Sequence, residues 1–160
     1  MSLAPASLYA AFGSKEALFE EAVSLYLATE AEKPWQVFEQ APRIRDGVHS
    51  LLVETVNVLT HSGRPRGCLL VLGDKGMSPS PDSVRDVMRK QRDLKREQLL
   101  ARLQRALAEG QITAATDVDA LAASVFIFMS GLSIETADGA PKTRLLSAIG
   151  EFMSQWPAAD

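Results

Sequence analysis

The side chains near the amino terminus that are suited to chemistry are suited to contact rather than bond making. Ser7, Tyr9 and Lys15 stand close together. Two hydroxyls and an ammonium all bind phosphate oxygens, and Ala10 is small enough to let a helix approach a nucleic-acid groove. Lys15 comes directly after Ser14, a capping residue type, so its charge falls beside the free N–H groups of a helix start, a setting that suits phosphate. Other candidates are sparse. His49 and His61 lie far apart with no adjacent acidic ligand, so a metal site is not expected. Cys68 is the only cysteine, which excludes an internal disulfide and fits a reducing cytoplasm. A redox role for Cys68 needs exposure and a nearby cation, which Arg64 or Arg66 would supply, whereas the apolar residues after it favour a packed thiol. There is no His-Glu-x-x-His, paired Cys, Gly-rich phosphate loop or nucleophile elbow. An enzyme is therefore not expected, and no cofactor is implied.

The elements that would position the phosphate-seeking residues are two helices. Ser7 to Phe12 reads as the end of one. Gly13-Ser14 is a break, since Gly takes positive φ and Ser caps the next helix, which starts at Lys15. Leu8, Phe12, Leu18 and Phe19 are spaced to pin the two helices through a common apolar face, which turns Ser7, Tyr9 and Ala10 outward. In a helix-turn-helix unit the second helix lies in the major groove and the next element braces it.

The ordered run from Pro5 through Ser7, Leu8, Tyr9, Phe12, Ser14, Lys15 and Glu16 to Leu18-Phe19 resembles the signature of tetracycline-repressor-like (TetR/AcrR) transcriptional regulators. In that family the run marks where the recognition helix ends and the fourth helix begins. The resemblance implies that Pro5, Ala6, Ser7, Tyr9, Ala10 and Lys15 touch operator DNA. It also implies an all-α, TetR-like fold: residues 1–31 as a remnant of the DNA-binding head and residues 32–160 as an effector-binding and dimerisation domain. About two helices precede this run in the family, yet only Met1-Ser2-Leu3-Ala4 stand before Pro5. The expectation is a truncated helix-turn-helix head, with Met1-Ser2-Leu3 an expression scar and weak or absent DNA binding by the 160 residues alone.

Composition sets the remaining bounds. At 160 residues and 46% apolar, the chain can bury a sizeable core as one domain. A net charge of -3 argues against a surface that is basic throughout, though a dimeric repressor needs only a basic tip. The longest uncharged run, Ala120 to Ile134, is shorter than a bilayer span and reads as a buried helix, so no membrane partner is expected.

Periodicity places the helices. Leu18, Phe19, Ala22, Leu25 and Tyr26 give an amphipathic connecting helix to about Ala31, with Glu16, Glu20, Glu21 and Glu30 outward and Pro34 as its stop. Trp35 to Phe38 is either its tail or a turn of its own. A second helix runs from Ile44 to Thr60. Cys68 to Leu72 is open between strand and helix by pattern alone; its likeness to the Gly-Cys-Leu run of the same family implies a short central helix. A long helix runs from Ser83 to about Glu109 and stops at Gly110, with Val84, Val87, Met88, Gln91, Leu94, Leu99, Leu103 and Leu107 inward. Its many Arg and Lys residues are best read as a solvated face.

A capping box at Thr116-Asp117-Val118-Asp119 opens the most apolar helix. One of its faces is Val118, Leu121, Val125, Met129 and Leu132, and the other is the smaller Ala120, Ala123, Ile127, Gly131 and Ile134. The last helix starts at Pro141 and ends at Pro157. By resemblance the final pair makes a two-fold bundle, with Val125, Leu132, Leu145, Ile149, Phe152, Met153 and Trp156 as its interface. The resemblance also implies a cavity among the central helices, with Trp35, Phe38, Leu52, Met88, Phe126 and Met129 as candidate lining, since aromatic and Met side chains shape adaptable pockets. A small apolar or amphipathic effector would fit it. The expected function is a ligand-controlled transcriptional regulator, by resemblance a repressor, acting as a homodimer on operator DNA; the rival is an all-helical dimeric ligand-binding or interaction module without DNA binding.

Overall fold

The computed structural model describes residues 11–63, 66–73 and 82–157, without the side chains at 15, 82 and 83. Pro5, Ala6, Ser7, Tyr9 and Ala10 therefore lie outside the described residues, as does the side chain of Lys15. The described part folds into helices α1 (Lys15–Tyr26), α2 (Glu32–Gln40), α3 (Ile44–Leu59), α4 (Leu69–Leu72), α5 (Asp82–Ala108), α6 (Val118–Ala137) and α7 (Lys142–Ser154), with a π-helical segment, Leu27–Ala31, between α1 and α2.

Local chemistry explains the starts. Gly13 has φ of 82°, which a side chain would strain, and Ser14 behind it is extended and accepts the Ala17 N–H at 3.0 Å. Asp117 caps α6 in the same way, through the Ala120 N–H at 3.0 Å. The first N–H of α3 is capped from a distance: Ile44 donates to Gln111 Oε1 at 2.7 Å. Arg102, buried on α5, donates to Ala41 O at 2.7 Å and so ties the turn before α3 to α5.

Pro34 does not stop the connecting helix. Leu27–Ala31 widens to π geometry and α2 resumes at Glu32, which puts Pro34 at the third position of a new helix. There its missing N–H costs little, and the wider turn before it relieves the clash of the ring with a preceding carbonyl.

Two apolar clusters hold the chain together. The larger joins Trp35 and Phe38 of α2, Val48, Leu51, Leu52 and Val56 of α3, Leu99 and Leu103 of α5, and inward residues of α6 and α7. Trp35 and Phe38 meet edge to face, 5.9 Å between centroids and 85° between planes. The smaller has Val23, Leu70 and Met88 at its centre, with Phe19, Tyr26 and Leu69 against it, and it fastens α1 to α4 and α5.

Three expectations of facing need correction. On α1 the inward residue is Val23, while Leu25 is 66% exposed; Phe19, Val23 and Tyr26 form the stripe that the joint buries. On α5, Leu94 is 48% exposed, because only parts of a 27-residue helix lie over the body. On the last two helices and just after them, Val125, Leu132, Leu145, Ile149, Met153 and Trp156 are all buried within the chain itself. They clamp α6 and α7 onto α3 and are not available to a partner. Phe152 is half-buried and stacked on Phe128 with centroids 4.4 Å apart. The outward face of α6 is the other, smaller one: Ile127 is 72% exposed and Ile134 43%. By length and composition alone Val118–Ala137 would suffice to cross a bilayer. In the fold its opposite face, with Val125 and Leu132, is packed in the core.

Candidate ligand-binding site

A cavity opens where the connecting helix meets the body. The π segment turns Glu30 and Ala31 toward α3, so the end of α1, the start of α2, the second half of α3, α4 and the middle of α6 enclose one space. It has two chambers. The outer one, about 490 Å³, is walled by Arg66, Gly67, Leu69, Leu72 and Gly73. The inner one, about 60 Å³, lies among Pro34, Trp35, Thr55, Leu70, Val71, Phe126, Met129, Ser130 and Ser133, with Arg92 and Lys95 of α5 at its edge. Tyr26, Glu30, Val58, Leu59 and Cys68 line both, and we call this shared wall the neck. Combined apolar walls with a few converging polar groups are the usual character of a small-molecule site.

The short helix α4 exists to make this wall. Gly67 has φ of 93°, and a Cβ there would run into Leu72 and Ala137, so only glycine lets the chain turn so tightly onto α6. Cys68 is next, as the helix cap, its N–H donating to Ser133 Oγ at 2.7 Å. Its thiol accepts a hydrogen bond from the Tyr26 hydroxyl, with oxygen and sulfur 3.4 Å apart. Burial, first, and then the neighbouring Cys68 push the Tyr26 phenol well above its ordinary value of 10.0, so Tyr26 remains a proton donor in neutral solution.

The charges around the inner chamber are engaged. Lys95 Nζ lies 3.2 Å from Glu32 Oε2 and 4.9 Å from the centroid of the Trp35 ring. Arg92 donates to Leu70 O, holding α4 to α5. Thr55 and Ser130 spend their hydroxyl protons on the carbonyls of Leu51 and Phe126, at 2.7 and 2.8 Å.

Of the six residues expected to line a cavity, Trp35, Phe126 and Met129 do so together. Phe38 and Leu52 lie wholly inside the main cluster, and Met88 lies in the smaller one, beneath α4; none of these three lines either chamber. Sequence reasoning missed Tyr26, Glu30, Val58, Leu59 and the hydroxyls. A usable signal was there: Tyr26 and Glu30 are four residues apart, and Ser130 and Ser133 interrupt the most apolar helix. Cys68, expected to be packed or redox-active, stands half-buried in the neck.

A second concavity, about 670 Å³, runs along the outward side of α6, between it and α5, past Leu100, Ala123, Ile127, Gly131 and Ile134. Arg96 closes one side of it, its guanidinium 4.4 Å from the centroid of the Phe126 ring.

Comparisons with known proteins agree on one relationship. Residues 45–142 match a family model described as "Tetracyclin repressor-like, C-terminal domain". Over 152 residues the chain is 25% identical to the HTH-type transcriptional repressor ComR of Escherichia coli (strain K12), covering 94% of this chain and 72% of that protein. A solved structure of a cysteine mutant of the TetR family transcriptional regulator CifR, complexed with 26bp double-strand operator DNA, superposes with a TM-score of 0.89. It is 39% identical and covers 97% of this chain and 81% of CifR. A second CifR cysteine mutant, also complexed with operator DNA, gives 38% identity and the same TM-score.

Proposed function

The chain belongs to the TetR family of transcriptional regulators, and from that premise we propose that it represses transcription as a homodimer on operator DNA, under control of a small molecule held in the two-chambered cavity. The observation that carries the reading is that Tyr26 and Glu30, at the end of the connecting helix, are also walls of the cavity. A ligand that fills the neck must touch the helix that would carry the DNA head. Only a ligand that binds two arrangements of this helix with different affinity can shift the balance between them.

Residues 1–31 are assigned to the DNA-binding part and residues 32–160 to the effector-binding and dimerisation part. Pro5, Ala6, Ser7, Tyr9, Ala10 and Lys15 are assigned to operator contact. For the dimer, the exposed face of α6 replaces the buried residues first expected: Ala123, Ile127, Gly131 and Ile134 offer a partner helix a shallow apolar surface. A protein that binds and signals, with no catalysis, suits these parts, and a cytoplasmic setting suits a DNA-binding regulator.

The test pairs two measurements on protein expressed from its own reading frame: anisotropy with labelled duplexes flanking the gene, and mass in solution. Sequence-selective binding by a dimer is expected. Tyr9→Phe with Lys15→Ala should weaken it and lower the salt slope by about 1 per lost phosphate contact. Ile127→Asp should yield monomers that no longer bind. Selective binding that survives both changes would overturn the reading.

A further inference from the structure

We propose that the effector is an uncharged molecule with an apolar body and one hydrogen-bond-accepting oxygen, and that this oxygen takes the Tyr26 hydroxyl away from Cys68. The inference rests on reading the cavity as the effector site and adds which chemistry that site selects.

Charge is excluded first. A charged ligand entering the inner chamber loses its hydration and must find a counter-charge there, or the cost of burying it is prohibitive. Lys95 is spent on Glu32 at 3.2 Å and on the face of Trp35. Arg92 donates to Leu70 O, where it holds α4 in place, and Arg92 and Glu30 each carry a further interaction. To recruit any of them a ligand would have to break an interaction the wall already needs. Arg66 stands exposed at the outer chamber, where water screens its charge.

An acceptor is selected next, by the donors the wall has left. The hydroxyl protons of Thr55 and Ser130 are committed to backbone carbonyls at ordinary distances, while Ser133 Oγ accepts the Cys68 N–H and keeps its own proton as a second donor in the inner chamber. Tyr26 differs: its proton points at sulfur, a weak acceptor, 3.4 Å away. A carbonyl or ether oxygen brought into the neck is a better partner, and Tyr26 holds its proton firmly enough to keep donating. The exchange has a mechanical consequence. Tyr26 is the last residue of α1 and Cys68 caps α4, so their bond crosses the small joint between the connecting helix and the body. An oxygen that takes the Tyr26 proton removes one of the two interactions this phenol makes with α4, leaving the one to the Leu69 backbone.

Calorimetry with four probes of one size tests this: acetophenone (neutral, with an acceptor), ethylbenzene (neutral, without one), benzoate and benzylamine. Acetophenone should bind about five-fold more tightly than ethylbenzene, the range of one hydrogen bond, and about ten-fold or more above either ion. Tyr26→Phe should erase the gap between ketone and hydrocarbon. Cys68→Ala, which removes the competing sulfur, should widen it, and this variant carries the test if Tyr26→Phe does not fold. Benzoate or benzylamine matching the ketone, or a gap that survives Tyr26→Phe, would overturn the inference while leaving an effector cavity in place. If none of the four binds to protein whose melting is cooperative, the cavity reading itself falls, and this inference with it.

Discussion

The body of the molecule and the joint that carries its connecting helix are built to different standards. Among the described residues the body's cluster has twenty buried members drawn from five helices, α2, α3, α5, α6 and α7, and the turns between them. The joint has three, Val23, Leu70 and Met88, with half-buried neighbours around them. At about 25 cal/mol per Å² of apolar area, so small a cluster resists displacement far less than the body does. The difference teaches where movement is cheap. A ligand worth a few kcal/mol cannot repack the body, but it can shift one helix across a three-residue contact.

The contrast can be broken or sharpened by substitution. Phe38→Ala empties the centre of the body and should cost about 3–5 kcal/mol, lowering the denaturation midpoint of the whole chain; a change confined to α1 would abolish the distinction. Leu70→Ala, in the joint, should cost less globally, about 2 kcal/mol. Its clearer sign should be faster amide exchange along Lys15–Tyr26 while the amides of α3 keep their protection. Equal loss of protection in both would mean that joint and body open as one unit.

The smallest expected effect is alkaline. The Tyr26 phenol titrates well above its ordinary 10.0 in the folded chain and near that value once unfolded. The stability it contributes is therefore complete below about pH 10 and is lost as pH rises beyond it, by no more than ~1.4 kcal/mol per pH unit. Denaturation measured from pH 9 to 11 should show this fall, and Tyr26→Phe should flatten it. An unchanged slope in the variant would show that Tyr26 is not held in the joint.

Much of this was legible in the residues alone, for reasons that are local. Gly13-Ser14 announces a helix start because positive φ and side-chain capping act within a few residues, and the capping box expected from Thr116 to Asp119 falls one residue early, since Asp117 is the cap. The inward stripe of α3 is regular because the whole helix packs on one core. What could not be read depends on what lies across the gap. Leu145, Ile149 and Met153 form the same stripe whether they meet their own body or a second copy, and periodicity does not distinguish the two. Pro34 looks like a stop because a π segment leaves no mark in composition. Half of the six residues expected to line the cavity do not, for a related reason. A wall is defined by absence of neighbours, and Phe38, three positions from Trp35, is enclosed where Trp35 borders open space.

The π segment has one more implication. An α-helix advances about 100° per residue, so a single surplus residue between Tyr26 and Glu32 indexes α1 to a bearing that an unbroken helix would not reach. The aim of whatever α1 supports is thus encoded by counting, in units of one residue, instead of by the fit of any particular side chain. Gene-level insertions or deletions at Leu27–Ala31 would re-point it in discrete steps, whereas substitutions at the same positions would leave the bearing as it is.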